Sequence, residues 1–382
     1  MLAWNGRGIS KRTKAHAKRV NCLYGKANGL LSGASDGLII DWTVQGTALQ
    51  KKRTIDLKTV GFVSMRPLPI SICEKKDSTL LVGTRGGEVI EIKANTPKPV
   101  VHVRSHFDGE LWGLAIHPHK AEMITFGRDK MLAIWNMKTR RQIKHSPLQG
   151  EGDALAFQNS AKHIAIGYLN GQILVLDSTK FQTIASISAF NGKACQILKY
   201  TPDDSKLAAG GANGQIILFN VLNRYKPLKK IRGHHSRILH FDFSQDGSAL
   251  MSNSQDYEIL FWDTSSGKQI TSGASNYKDE AWHSWSCKLG WPVQGIWPPC
   301  ANGTDINAVE RAPDGTVVAT ADDFGQVKLF RYPCPQEKSN YQQYFGHSSH
   351  VTNISFSKTT DDGQQYLITT GGEDKSIFQW KY

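Results

Sequence analysis

Cysteine is scarce, and what there is forms no chelating or bridging pattern. The chain has six in 382 residues (Cys22, Cys73, Cys195, Cys287, Cys300 and Cys334), with no C-x-x-C pair. That usage excludes a disulfide scaffold and argues against a structural zinc module. No apolar run approaches 18 residues, so no membrane-spanning helix is expected. The start, MLAWNG, has no apolar signal segment. An intracellular protein is the resulting expectation, in which the sequons at Asn302 and Asn353 carry no meaning. Long helical periodicity is missing too, which excludes α/β architectures and coiled-coil heptads. Glycine is abundant, 35 residues, but without a three-residue period, so collagen is excluded. A hydrophobic fraction of 40% with 21% charged residues describes a globular chain.

What is present is a repeat. A short apolar run, a Gly/Asn/Asp turn and a second β-rich run ending in a large residue recur eight times. The copies are LLSGASDGLIIDW (30–42), LLVGTRGGEVIEI (80–92), MITFGRDKMLAIW (123–135), IAIGYLNGQILVL (164–176), LAAGGANGQIILF (207–219), LMSNSQDYEILFW (250–262), VVATADDFGQVKLF (317–330) and LITTGGEDKSIFQW (367–380). Turn positions are Asp36, Gly86, Asp129, Asn170, Asn213, Asp256, Phe324 and Asp374, at spacings of 50, 43, 41, 43, 43, 68 and 50. A period of about 40–45 residues with short strands marks a β-propeller blade. Turn residues tolerate positive φ, and the flanking Val, Ile and Leu suit strands buried between stacked blades.

Four copies carry a fuller set. Each has a His before the blade, a Ser or Thr four residues before the turn Asp, and a Trp six residues after it. The sets are His16/Ser32/Asp36/Trp42, His106/Thr125/Asp129/Trp135, His234/Ser252/Asp256/Trp262 and His347/Thr370/Asp374/Trp380. A buried imidazole needs a partner for each ring nitrogen. The Asp can take one, the hydroxyl can bridge to the other, and the indole N–H can close the chain. A His–Ser–Asp set invites a hydrolase reading, but an enzyme builds one active site, not four copies each with a Trp. No catalytic residue, cofactor or metal is therefore expected. The glycine-rich 210–214 stretch lies at a repeat turn with no helix behind it, which disfavours a nucleotide site. Asp322-Asp323 and Asp361-Asp362 lack calcium-loop spacing, and His117-Pro-His119 reads as a surface turn.

The pattern predicts an all-β, WD40-type propeller. The last repeat ends at Trp380, so its outer strand must come from earlier in the chain. Residues 54–62 alternate better than the basic 7–19 stretch, which favours a seven-bladed ring over 54–382, with 1–53 as an orphan blade. Eight blades closed by the N-terminus is the alternative. A Trp/Pro-rich insert, 280–300, occupies the long gap. Its Trp282, Trp285, Trp291 and Trp297 are candidates for partner docking, or for a satellite core on one rim. Charge is uneven: residues 1–60 hold 11 Lys/Arg against 3 Asp/Glu, within a total of +13. The densest run contains Arg7, Lys11, Arg12, Lys14, Lys18 and Arg19, candidates for an acidic partner. No nucleic-acid-reading module accompanies it.

Stretches beyond the repeat pattern carry a family resemblance. They are HFDGELWGLAIH (106–117), SNSQDYEILFW (252–262), GTDINAV (303–309), DDFGQVKLFRYPC (322–334), GHSSHVTN (346–353) and TGGEDKSIFQW (370–380). Over nearly its whole length the chain resembles the carboxy-terminal part of the echinoderm microtubule-associated protein-like family. The resemblance implies tandem propellers, a cytoplasmic, cytoskeletal location, and binding of tubulin or microtubules without enzymatic activity. Residues 1–53 would then be the last blade of a preceding propeller that is otherwise missing. A generic WD-repeat adaptor, with no microtubule binding by this chain alone, is the competing expectation.

Overall fold

In a computed structural model the chain is built almost wholly of antiparallel sheets. The structure describes all residues except 1, 5–8, 13, 47, 61–63, 65, 95–97, 299–301 and 359–362. It divides into two compact units, Met1–Phe107 and Asp108–Tyr382.

The first unit contains two four-stranded sheets, each in sequence order. One is Val20–Lys26, Gly29–Ala34, Leu38–Gln45 and Ala48–Asp56. The other is Pro69–Glu74, Leu80–Thr84, Val89–Ile92 and Val100–Val103. They share a core of Leu31, Ile39, Leu57, Ile72, Leu80 and Ile90. A two-stranded sheet pairs Leu2–Trp4 with Ile9–Arg12. The boundary expected after residue 53 falls inside a strand. Thr54, Ile55 and Asp56 pair with Ile40, Ile39 and Leu38. A tight turn at Gly46, with φ +59°, brings Gln45 opposite Ala48. This local pairing closes a far shorter loop than donation to the last repeat would.

The second unit repeats one hairpin-built sheet around a channel. Its inner strands are Leu111–Ile116, Gly152–Phe157, Cys195–Tyr200, Ile238–Phe243, Ile306–Arg311 and Val351–Phe356. Each leads outward through meander pairing into three or four strands. Second strands are buried on both faces, as in Ala249–Ser254, where every residue is buried. Outer strands such as Lys226–Ile231 are mostly exposed. This gradient follows from stacking sheets face to face.

The ring closes within this unit. Thr352 Oγ1 donates to the Leu111 carbonyl at 2.5 Å, and Asn353 Nδ2 to that of Trp112 at 2.9 Å. Gln379 Nε2 donates to the Met137 carbonyl at 3.1 Å. Leu114, Met123, Met137 and Ile368 form a core common to the first and last of these sheets. The last sheet has three strands among the described residues, Val351–Phe356, Tyr366–Gly371 and Ile377–Lys381.

The Trp/Pro-rich insert stands in the ring between the 238–263 and 306–345 sheets. On one side the Ser286 and Cys287 N–H groups donate to the Asp242 carboxylate, at 2.7 and 3.0 Å. On the other, Arg311 N–H donates to the Trp285 carbonyl at 3.0 Å, and Arg311 Nη2 to that of Trp282 at 2.7 Å. A wedge bonded to both neighbours replaces direct sheet-on-sheet packing there.

Candidate functional site

The four His sets are positioned by the blade hairpins. The hydroxyl sits on the second strand, the Asp in the turn and the Trp on the third strand. The first set forms completely. His16 Nδ1 stands 3.1 Å from Asp36 Oδ2, and Nε2 stands 2.8 Å from Ser32 Oγ. Trp42 Nε1–H donates to the same Ser32 oxygen at 2.8 Å. Asp36 also accepts the Ala17 and Leu38 N–H groups. Burial would raise its pKa, but these bonds and His16 hold it below the usual carboxylate range.

The last set forms with one correction. Thr369, not Thr370, carries the bridging hydroxyl. His347 Nε2 is 2.8 Å from Thr369 Oγ1, and Trp380 Nε1–H donates to that oxygen at 2.9 Å. His347 Nδ1 is 3.2 Å from Asp374 Oδ2. Thr370 instead bonds Thr352 at 2.9 Å, on the other face of the strand. The turn explains the shift. Thr370 pairs with Ile377 here, whereas Gly33 pairs with Ile39 in the first set, so this turn is one residue longer. Strand alternation then moves the inward hydroxyl back by one.

The third set is half formed. His234 Nε2 is 2.7 Å from Ser252 Oγ, and Trp262 Nε1–H donates to that oxygen at 2.8 Å. Asp256, however, accepts from the Ser254 hydroxyl, and His234 Nδ1 faces Glu258 Oε2 at 3.4 Å. In the second set Trp135 donates to Thr125 at 2.7 Å and Asp129 accepts the Met131 N–H at 3.0 Å. His106 is buried, at the end of the first unit.

The tryptophans proposed from sequence separate into two kinds. Trp282 and Trp285 are buried, packed with Cys287, Val293, Ile296 and Val309. Trp285 Nε1–H donates to the Cys287 carbonyl, so its one polar group is satisfied within the insert. The docking role expected for these two is therefore overturned: they form the satellite core. Trp297 is half-buried and donates to the Lys288 carbonyl. Trp291 remains outside, 52% exposed. It borders a cavity of about 210 Å³ with Phe261, Tyr277, Trp282, Trp285 and Pro292.

Of the basic run, Lys14, Lys18 and Arg19 are exposed. Lys11 and Arg12 lie on Ile9–Arg12, and Arg7 lies outside the described residues. Cys300 and the Asp361-Asp362 pair lie outside them as well.

Sequence reasoning missed the charged floor of the channel. The channel encloses about 460 Å³ and is lined by Lys199, His240, Ser286 and Glu310. Asp242, fully buried beside it, accepts from Lys199 Nζ at 2.6 Å and Ser284 Oγ at 2.7 Å. Burial would raise its pKa, yet the ammonium, hydroxyls and N–H groups lower it. Burial pushes Glu310 up to about 7, outweighing the Ser355 hydroxyl, the Lys199 ammonium and the Phe356 N–H at 3.0 Å. Burial drives His240 down to about 3, so it is neutral. The signal was an Asp inside an apolar strand, ILHFDF, which a search organised around turns passes over.

Comparison with known proteins agrees with this architecture. Residues 111–382 match the family of the Echinoderm microtubule-associated protein second beta-propeller. Echinoderm microtubule-associated protein-like 4 of Xenopus laevis is 38% identical over 378 residues, covering 98% of this chain and 39% of that protein. Echinoderm microtubule-associated protein-like 2 of Rattus norvegicus is 34% identical over 390 residues, covering 100% of this chain and 58% of that protein. Echinoderm microtubule-associated protein-like 3 of Mus musculus is 34% identical over 389 residues, covering 98% and 42%. The chain thus spans between 39% and 58% of the length of these three relatives. By matched propeller and by identity along its length, it belongs to the echinoderm microtubule-associated protein-like family.

Proposed function

We propose that this chain is a non-enzymatic interaction scaffold of the microtubule cytoskeleton, and that it binds tubulin through the basic face of its first unit. The observation that carries this reading is the exposed Lys14–Lys18–Arg19 run, in a family named for microtubule association. Its partner surface is acidic, and the association is electrostatic in range and salt-sensitive. The His/Ser/Asp sets support the absence of chemistry. Each hydroxyl that bridges a His also accepts an indole N–H, so it is held as a structural acceptor.

The first unit is read as closing sheets of a preceding propeller, because the family match begins at residue 111 and the ring from Leu111 closes on itself. The insert is read as filling the place of a further blade, since it bonds to the sheets on both sides of it. A second reading is an adaptor propeller whose microtubule contact lies in parts of the relatives that this chain does not span. The coverage of 39% of the Xenopus laevis relative favours it. Co-sedimentation with microtubules at low and physiological salt separates the two. Saturable pelleting that weakens with salt supports the scaffold reading; a folded chain that stays in the supernatant at both salts supports the adaptor.

A further inference from the structure

We propose that His234, Asp256 and Glu258 bind a divalent transition-metal ion of the zinc class, with His235 beside Glu258 at the mouth of the site. The third His set differs from its sisters in one place. Two residues after the turn Asp, the other sets carry Leu38, Met131 and Ser376; this one carries Glu258. Elsewhere the imidazole Nδ1 meets the turn Asp at hydrogen-bond distance, 3.1 Å for His16 and 3.2 Å for His347. His234 Nδ1 has no hydrogen-bond partner although its side chain is only 1% exposed. Glu258 Oε2 is likewise buried and unpartnered.

These two orphaned atoms face each other at 3.4 Å. An N–H···O bond would draw them to about 2.7–3.2 Å. Two ligands each about 2.1 Å from a tetrahedral ion stand about 3.4 Å apart. Asp256 completes a group whose ligand atoms all lie within 4.8 Å of one another. His235 Nδ1 is 3.7 Å from Glu258 Oε1, and its side chain is 84% exposed, so the site opens to solvent on that side.

The donor set decides the ion. One buried imidazole nitrogen with two carboxylates suits zinc, cobalt or nickel. Calcium and magnesium favour all-oxygen shells. His234 Nε2 is already committed to Ser252, which orients the ring so that Nδ1 points at the carboxylates. The ion would tie the loop before the blade to its hairpin turn, the link that Asp256 leaves unmade by bonding Ser254.

The test uses the full chain, stripped with a chelator, and cobalt(II) or zinc(II) chloride as the probe. Cobalt should bind at one equivalent with visible absorption typical of nitrogen–oxygen coordination. Saturating zinc should raise the melting temperature by about 2–4 °C. Glu258→Gln should weaken cobalt binding at least tenfold, and His235→Ala should weaken it less. Both variants should fold, since Leu, Met and Ser occupy the Glu258 position in the sister sets and His235 is exposed. Absence of saturable binding overturns the proposal. So does binding that Glu258→Gln leaves unchanged, which would place the ion elsewhere. A pH-dependent change in stability with no metal response also overturns it, because a shared proton alone then fills the gap.

Discussion

A turn Asp in this protein works as a collector of donors. Asp374 accepts from the Ser348 N–H at 2.9 Å and the Ser376 N–H at 3.0 Å, besides facing His347. Asp374→Ala should cost about 1–3 kcal/mol, because the buried His347 ring and the part-buried Ser376 N–H lose their acceptor. Urea denaturation measures it, and an unchanged midpoint would remove the set from the stability account. The sign of its pH dependence also follows. Burial raises the Asp374 pKa, but the N–H donors and His347 bring it below the ordinary value. Its contribution is therefore present above the unfolded pKa and is lost as pH falls through the lower folded value. Thr369→Val should cost a further test of about 1–2 kcal/mol by stranding the Trp380 N–H. Sequence spacing located His16, Ser32, Asp36 and Trp42 as a bonded group, because a five-residue turn repeats there. It misplaced the hydroxyl of the last set because counting forward from the Thr cannot register a longer turn. It also could not show that Asp256 would turn to Ser254, which depends on a neighbour two residues away.

Among the elements, the insert is the least like a repeat and the most dependent on one residue. Asp242 receives the Lys199 ammonium and two backbone N–H groups of the insert. Asp242→Ala should destabilise by about 3–5 kcal/mol, since it strands a partly buried ammonium. Limited proteolysis should then cut first within 280–300; a protected insert would contradict this anchoring. Glu310 behaves oppositely. Its pKa rises to about 7, above the unfolded value of about 4.3. Between these values the unfolded chain loses its proton first, so stability falls as pH rises. Glu310→Gln should flatten that slope and stabilise the protein by about 1–3 kcal/mol at pH 8, read from denaturation midpoints at pH 5 and pH 8. The four Trp of the insert were visible as a cluster in the sequence, but their division was not. Trp282 and Trp285 turn inward, their carbonyls held by Arg311 of the neighbouring strand and the Trp285 indole bonded to the Cys287 carbonyl, whereas Trp291 begins a short 3₁₀ turn, Trp291–Ile296, at the edge of the wedge.

On the scale of the whole chain, the all-β repeat was legible because eight copies share one turn pattern, four of their seven spacings lying at 41–43 residues. The division into units was less so. Strand donation was inferred from the missing partner of Ile377–Lys381, yet Ala48–Asp56 pairs with its own hairpin neighbour. Closure depends instead on Thr352, Asn353 and Gln379 reaching the carbonyls of Leu111, Trp112 and Met137, side-chain bonds that no periodicity encodes. The basic run, by contrast, was legible in full as charge, and three of its residues are exposed as a docking face requires. The most direct measurement is a microtubule co-sedimentation titration of the chain beside a variant carrying Lys14→Ala, Lys18→Ala and Arg19→Ala. Three surface charges at about 0.5 kcal/mol each amount to roughly a tenfold weaker apparent Kd at low salt, with circular dichroism unchanged. A folded variant that pellets as tightly as the parent chain would contradict the account.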